Sequence, residues 1–164
     1  MLNIRKAEAA DVPAMLEIYN DEVLHGTATL DLHPKSLDDR MKWFRAHNVD
    51  NHPLLVAETE RGIAGYVSLS PYREKEAYAG TVELSIYVQR GCRGQGVASA
   101  MMKAILAWAQ SDPATHTVVS VITSGNAAST RLHERFGFAY CGTIREVGVK
   151  FGQYLDIDNY QKMV

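Results

Sequence analysis

The sequence predicts a mixed α/β layer structure. Three observations carry that prediction: apolar residues recur at helical spacing in four stretches, alternating or continuous apolar runs mark seven others, and a glycine- and arginine-rich junction joins a strand-like run to a strong helix. The predicted order is β-α-α-β-β-β-α-β-α-β-β.

Leu2 to Lys6 alternates apolar and polar residues, as a short strand does. Asp11 then reads as a helix N-cap with Pro13 in the first turn, and Val12, Met15, Leu16, Ile18, Tyr19 and Val23 follow at helical spacing until Gly26. Ser36-Leu37-Asp38-Asp39 resembles a capping box and opens a second helix through Met41, Trp43 and Phe44. Leu54 to Glu60 and Ile63 to Ser70 are apolar runs around Arg61-Gly62, which is a hairpin signal. Pro71 to Gly80 is polar and reads as a loop. In Thr81 to Val88, the residues Val82, Leu84, Ile86 and Val88 alternate with Thr81, Glu83, Ser85 and Tyr87. Val97 to Gln110 is a helix, Thr117 to Ile122 a buried strand, and Asn126 opens a helix that Gly137 ends with a left-handed cap. Ala139 to Val149 and Tyr154 to Lys162 close the chain as strands.

The 164 residues suit one domain with a real core, at 46% hydrophobic and 22% charged. A net charge of -2 suggests no general affinity for nucleic acid or anionic membranes. The two cysteines, Cys92 and Cys141, make neither a disulfide framework nor a zinc motif, and a reducing compartment is the simplest reading. No signal peptide and no apolar run of membrane-spanning length is visible, so a cytoplasmic location is expected from those absences. His25, His33, His47, His52 and His116 form no metal-spaced cluster, and no metal is expected.

Chemistry concentrates in Val88-Gln89-Arg90-Gly91-Cys92-Arg93-Gly94-Gln95-Gly96-Val97-Ala98-Ser99. A helix that starts after a glycine turn presents unpaired N–H groups and the positive end of its dipole, which suits a pyrophosphate. Gly94 and Gly96 let the backbone approach phosphates closely, and Arg90 and Arg93 offer charged donors. A Walker loop would need Gly-Lys-Ser/Thr, which is absent, and a dinucleotide fingerprint would need a third glycine where Ser99 stands. An ordinary glycine-rich turn with solvated arginines remains open, beside a third reading that rests on a resemblance.

Arg93-Gly94-Gln95-Gly96-Val97-Ala98 resembles the Arg/Gln-x-x-Gly-x-Gly/Ala signature of the GNAT acetyltransferases. Asn126 with the helix ending in Gly137-Phe138 resembles the second signature of that family. The resemblance implies the GNAT fold, a central mixed, mostly antiparallel sheet with flanking helices, and acetyl-coenzyme A as cofactor. It also implies that Gly94 to Ser99 (Gly94, Gln95, Gly96, Val97, Ala98, Ser99) and Arg93 hold the pyrophosphate, that Asn126 meets the pantetheine arm, and that the backbone of Ile86, Tyr87 and Val88 lines the acetyl site. Tyr87 and Val88 are expected to supply the oxyanion donors. A plain N-cap role for Asn126 is compatible with this.

A narrower resemblance spans nearly the whole chain. Ile18-Tyr19-Asn20-Asp21, Val82 to Val88, Asn126-Ala127-Ala128-Ser129, Leu132-His133-Glu134 and Lys150 to Asp156 look like the phosphinothricin, methionine sulfone and methionine sulfoximine acetyltransferases. That branch acetylates small amino acids with a tetrahedral, oxygen-rich side-chain head. Lys75, Ala79, Gly80, Leu84, Gln153 and Tyr154 depart from its pattern, and they gather near the expected substrate pocket.

By this resemblance Glu83 is the catalytic base, acting directly or through water; strand alternation alone reads it as an exposed carboxylate. His133 stands where many members carry a Tyr acid, and it is either that acid or a locally bonded helix residue. The expected substrate contacts are Tyr72, Arg73, Glu74, Lys75, Glu83, Leu84 and Ser85, with Arg73 binding a carboxylate; the competing reading of Tyr72 to Lys75 is a solvated loop. Cys92 has no histidine nearby in sequence to activate it, so direct transfer is expected over an acetyl-cysteine route. A homodimer is expected, with Phe151, Tyr154, Leu155 and Tyr160 as apolar candidates for its interface or for the core. The alternatives are an acetyltransferase for a polyamine, an aminoglycoside or a peptide N-terminus, and a non-catalytic coenzyme A-binding module.

Overall fold

A computed structural model describes residues 1–164. Seven strands form one sheet, in the order β1-β2-β3-β4-β5-β7-β6. They are β1 (Asn3–Lys6), β2 (Leu54–Thr59), β3 (Gly62–Pro71), β4 (Thr81–Val88), β5 (Thr117–Thr123), β6 (Ala139–Lys150) and β7 (Gln153–Met163). The helices are α1 (Val12–His25), α2 (Leu37–Arg45), α3 (Val97–Ser111) and α4 (Ala127–Arg135). Element order matches the sequence reading, and three short 3-10 turns are added to it. All strand pairs are antiparallel except β4 with β5.

Local chemistry explains three helix ends. Ser36 Oγ accepts from the Asp39 N–H at 3.1 Å, so α2 starts where the capping signal lies. Asn126 caps α4 by accepting from the Ser129 N–H at 3.2 Å. Gly137 takes φ +84 after α4, as a left-handed terminator does. Asp11 departs from expectation. Its carboxylate accepts from Arg5 at 2.8 and 2.9 Å and from the Glu8 N–H at 2.8 Å, and it makes no cap bond to α1. The strong guanidinium partner from β1 outcompetes the helix N–H groups.

Two cores lie on opposite faces of the sheet. On one face α3 buries Val97, Met101, Met102, Ile105, Leu106 and Ala109 against Val67, Leu69, Val82, Leu84 and Val118. On the other α1 buries Val12, Met15, Ile18, Tyr19 and Val23 against Leu54, Val56 and Tyr66. Each large apolar side chain removed from water contributes about 1.5–3 kcal/mol, which is what fixes the helices to their faces. The β6–β7 hairpin is different. β6 is an edge strand with two register breaks, and Tyr140, Ile144, Val149, Phe151 and Tyr154 remain exposed. Tyr160, a candidate for an interface, is instead buried against His133 and Tyr140.

Candidate active site

The site begins with a break in the sheet. β4 pairs with β3 from Val82 to Val88, but with β5 only at Thr81, Glu83 and the residue between them. Beyond Glu83 the parallel strands diverge. The ladder with β3 also decides which backbone groups face the opening. Gln89 N–H donates to Ala64 O at 2.8 Å, while Leu69 N–H turns the other way, to Pro53 O at 3.0 Å. By alternation, the backbone of Tyr87 bonds to Tyr66 across the ladder, and that of Ile86 and Val88 faces the β5 side with no strand partner. The expectation for the oxyanion donors is corrected accordingly. Val88 N–H faces the opening, joined by Ile86 N–H, and Tyr87 N–H does not.

Side chains alternate with the same period. Glu83, Ser85 and Tyr87 lie on the face of α1 and α2. Leu84 lies on the α3 face, where it is packed into the core and still forms a wall of the opening. The opening is a cavity of roughly 750 Å³ that runs through the sheet. Its walls include Glu83 to Val88, Arg93, Gly94, Gly96 to Ser99, Asn126 and His133. Gln95 is not among them; its side-chain amide donates back to Gly91 O at 3.0 Å.

At one mouth sits the start of α3. Gly94 and Gly96 take φ +72 and +82, and a Cβ on either would meet no heavy atom within 4 Å. Glycine is therefore required here by backbone conformation, and the space in front of the turn is open. The first intrahelical bond runs from Ala100 N–H to Gly96 O at 3.0 Å, so the N–H groups of Val97, Ala98 and Ser99 have no helical acceptor. The two arginines expected as phosphate donors are held by α1. Arg90 pairs with Asp21 at 3.1 Å, and Arg93 pairs with Glu22 at 3.1 Å and donates to Val88 O at 3.3 Å. They brace the loop. Arg135 on α4 lines the same mouth and reaches Ser99 Oγ at 3.3 Å.

Glu83 is partly buried and has no hydrogen-bond partner in the protein; burial alone raises its pKa. His133 is 2% exposed, and burial lowers its pKa. Its Nδ1 lies 2.7 Å from Ser129 O and so carries the proton, which leaves Nε2 to accept from Ser120 Oγ at 2.9 Å. The imidazole is thus held neutral. Tyr72, Arg73, Glu74 and Lys75 lie outside the cavity, in the loop between β3 and β4. Arg73 is exposed and stacks over Tyr72 and Tyr78, at 5.0 and 5.9 Å. Cys92 lines the cavity mouth and donates to Gln89 Oε1 at 3.3 Å.

Sequence reasoning missed Glu22, Arg135 and Ser120. Glu22 left a signal, because it falls on the apolar stripe of α1 beside Ile18, Tyr19 and Val23. It is 7% exposed, pairs with Arg93 and accepts from Ala28 N–H at 3.0 Å. No group of three or more His, Cys, Asp or Glu side chains comes together in metal-ligating range.

A sheet split between two parallel strands, with a helix N-terminus and glycine turn at one mouth and a desolvated carboxylate inside, defines an acyl-coenzyme A-dependent transferase. Residues 1–139 match the acetyltransferase (GNAT) domain family, and the chain belongs to that family. The L-methionine sulfoximine/L-methionine sulfone acetyltransferase of Pseudomonas paraeruginosa is 41% identical over 94% of this chain and 90% of its own length. Among solved structures, the ribosomal-protein-alanine N-acetyltransferase of Brucella melitensis is similar at TM-score 0.95, with 39% identity over 99% of both chains. The phosphinothricin acetyltransferase of Sinorhizobium meliloti, solved with acetyl-coenzyme A, is similar at TM-score 0.94, with 31% identity over 99% of this chain and 88% of its own. The chain is an acetyl-coenzyme A-dependent N-acetyltransferase. The cradle fits that cofactor, since it offers unpaired N–H groups, clear space at its glycines and the Asn126 carboxamide N–H2, which has no protein partner.

Proposed function

We propose that this enzyme acetylates the primary amine of a small amino acid of the phosphinothricin, methionine sulfone or methionine sulfoximine type. The observation that carries the reading is the Glu83 carboxylate, unpartnered and desolvated, at the point where β4 and β5 part. Similarity to the Pseudomonas and Sinorhizobium enzymes supports the substrate class.

Acetyl-coenzyme A supplies an acetyl group activated as a thioester. The N–H groups of Val97, Ala98 and Ser99 receive its pyrophosphate, with Arg135 adding charge, and Asn126 takes the pantetheine amides. The N–H groups of Ile86 and Val88, free on the β5 side, would stabilise the negative charge that develops on a thioester carbonyl bound there. Glu83 takes a proton from the substrate ammonium, directly or through one water, and so frees the lone pair that attacks. His133 is bonded at both nitrogens, to Ser129 O and Ser120 Oγ, so it holds Ser120 in place and has no proton free to give; the proton that a coenzyme A thiolate needs would come from solvent. Leu84 shapes the acetyl side and Ser85 the amine side. Tyr72, Arg73, Glu74 and Lys75 then act only at the rim.

The test is Glu83→Gln. Turnover should fall by about 10²–10⁴-fold while the Kd for acetyl-coenzyme A stays within roughly twofold. Unchanged turnover removes Glu83 from the mechanism.

A second reading is acetylation of a protein N-terminus. It is favoured by the similarity to the Brucella alanine N-acetyltransferase. An alanine-terminated peptide in the same assay separates the two. We further propose that residues 1–164 act as one domain, because β6 and β7 complete the sheet begun by β1. A homodimer through the exposed hairpin side chains and a reducing, cytoplasmic setting for the free thiols of Cys92 and Cys141 complete the reading.

A further inference from the structure

A second cavity, of roughly 450 Å³, opens on the α1 and α2 face and shares Ser85 and Tyr87 with the first as walls. Its polar lining is unusual. Arg40 is 5% exposed, yet no carboxylate lies within ion-pairing range of it. Its guanidinium stacks on Trp43 at 3.6 Å and Tyr19 at 4.5 Å, and it donates from Nη2 to the Tyr66 hydroxyl at 2.6 Å. Its Nε has no partner. Ser68, 0% exposed, leaves its hydroxyl without a partner too. No other buried side-chain nitrogen or oxygen in the chain lacks a partner, and both of these line the same cavity.

Native proteins rarely leave buried donors unmatched, and two such groups in one cavity call for a partner from outside the protein. A charged donor and a hydroxyl together call for a small group with acceptor oxygens. The nearby acids do not fill that need. Asp31 is engaged by Tyr19 and lies 3.7 Å from Lys35, while Asp39 is exposed and accepts no bond from Arg40. The rings of Trp43, Tyr19 and Tyr66 pack around the Arg40 guanidinium and keep water from much of it, which strengthens any charged contact it makes.

We propose that Arg40 and Ser68 form the subsite that receives an anionic or oxygen-rich end of the amine substrate, its carboxylate or its oxygenated side-chain head. The identity of that ligand as substrate rests on the acetyltransferase reading above. With the amine beside Glu83, the substrate extends past Ser85 into this second cavity. The role expected of the exposed Arg73 thus passes to a buried arginine. In helix α2 the signal was present, since Arg40 falls one turn before Trp43, on the inward face.

Two variants test it. Ser68→Ala removes a hydroxyl that nothing in the protein satisfies, so Tm should hold or rise, while the KM for methionine sulfone rises roughly 10-fold and the KM for acetyl-coenzyme A stays constant. Arg40→Gln should raise the amine KM by roughly 10- to 100-fold, with its folding checked by Tm. Comparing methionine sulfone, its carboxamide and norleucine assigns the group: loss of the Arg40→Gln effect with the carboxamide marks the carboxylate, and loss with norleucine marks the head. An unchanged amine KM in Ser68→Ala together with less than a threefold rise in Arg40→Gln overturns the subsite. If the wild type acetylates none of these amines, the acceptor reading fails, and inorganic sulfate then probes the subsite by itself. A larger sulfate-induced rise in Tm for the wild type than for Arg40→Gln supports it, and equal rises overturn it.

Discussion

Glu83 can take a proton only while its carboxylate is ionised. Burial raises its pKa, so the ionised fraction falls at a higher pH than for an ordinary glutamate. The sign of the consequence is fixed. As pH falls through that raised value the base is protonated, and kcat/KM falls with it. The pH profile of kcat/KM should show an acid limb above the usual carboxylate range, and Glu83→Gln should abolish that limb. A profile whose acid limb is the same in wild type and Glu83→Gln would contradict the assignment. Other site residues show what one-dimensional reading can and cannot see. Gly94, Gly96 and Asn126 announce their backbone roles by residue type, because a left-handed turn and a helix cap are local properties. The pairing of Arg93 with Glu22 joins residues far apart in sequence, so the tie to α1 is invisible in a sequence where the arginine reads as a phosphate donor.

At the scale of elements, the link from α1 to the coenzyme loop is the testable one. Gly26 ends α1 with φ -133, so it is present for space and not for a left-handed turn. A Cβ there would lie 1.8 Å from Glu22 Oε1. What must move is the end of a flexible side chain, so the cost lies in the contacts it gives up, to Arg93 and the Ala28 N–H. Gly26→Ala should lose about 1–3 kcal/mol, a fall in Tm of roughly 2–10 °C, and should raise the KM for acetyl-coenzyme A. Thermal melts and steady-state kinetics check both; wild-type values for each would show that Glu22 does not brace the loop. Element identity and order were legible because each helix and strand carries its own period. The divergence of β4 from β5 was not. It depends on which strand pairs with which and for how long, and Val82 to Val88 reads the same whether one neighbour or two flank it.

The whole molecule carries one liability, the β6–β7 hairpin. Phe151, in the hairpin turn, and Tyr154, on β7, are 59% and 69% exposed, next to a β6 edge strand that leaves Val149 and Ile144 exposed as well. Exposed apolar edges invite pairing. Light scattering at micromolar concentration should give a dimer mass, and Tyr154→Glu should shift it toward monomer with Tm of the monomer retained. A monomeric wild type would contradict the proposed assembly. The split between Phe151 and Tyr154 at the surface and Tyr160 in the core was beyond sequence reasoning, because both sets fit an apolar strand face.

The central claim is transfer of acetyl to a small amino acid's amine. Its most direct test is acetyl-coenzyme A-dependent thiol release by the wild-type protein with methionine sulfone, methionine sulfoximine, phosphinothricin, ordinary amino acids, a polyamine, an aminoglycoside and an alanine-terminated peptide. Turnover concentrated on the sulfone, sulfoximine or phosphinothricin is the predicted result. Turnover confined to the peptide or to the polycationic amines would contradict it, leaving the fold and the coenzyme cradle in place and moving the substrate elsewhere.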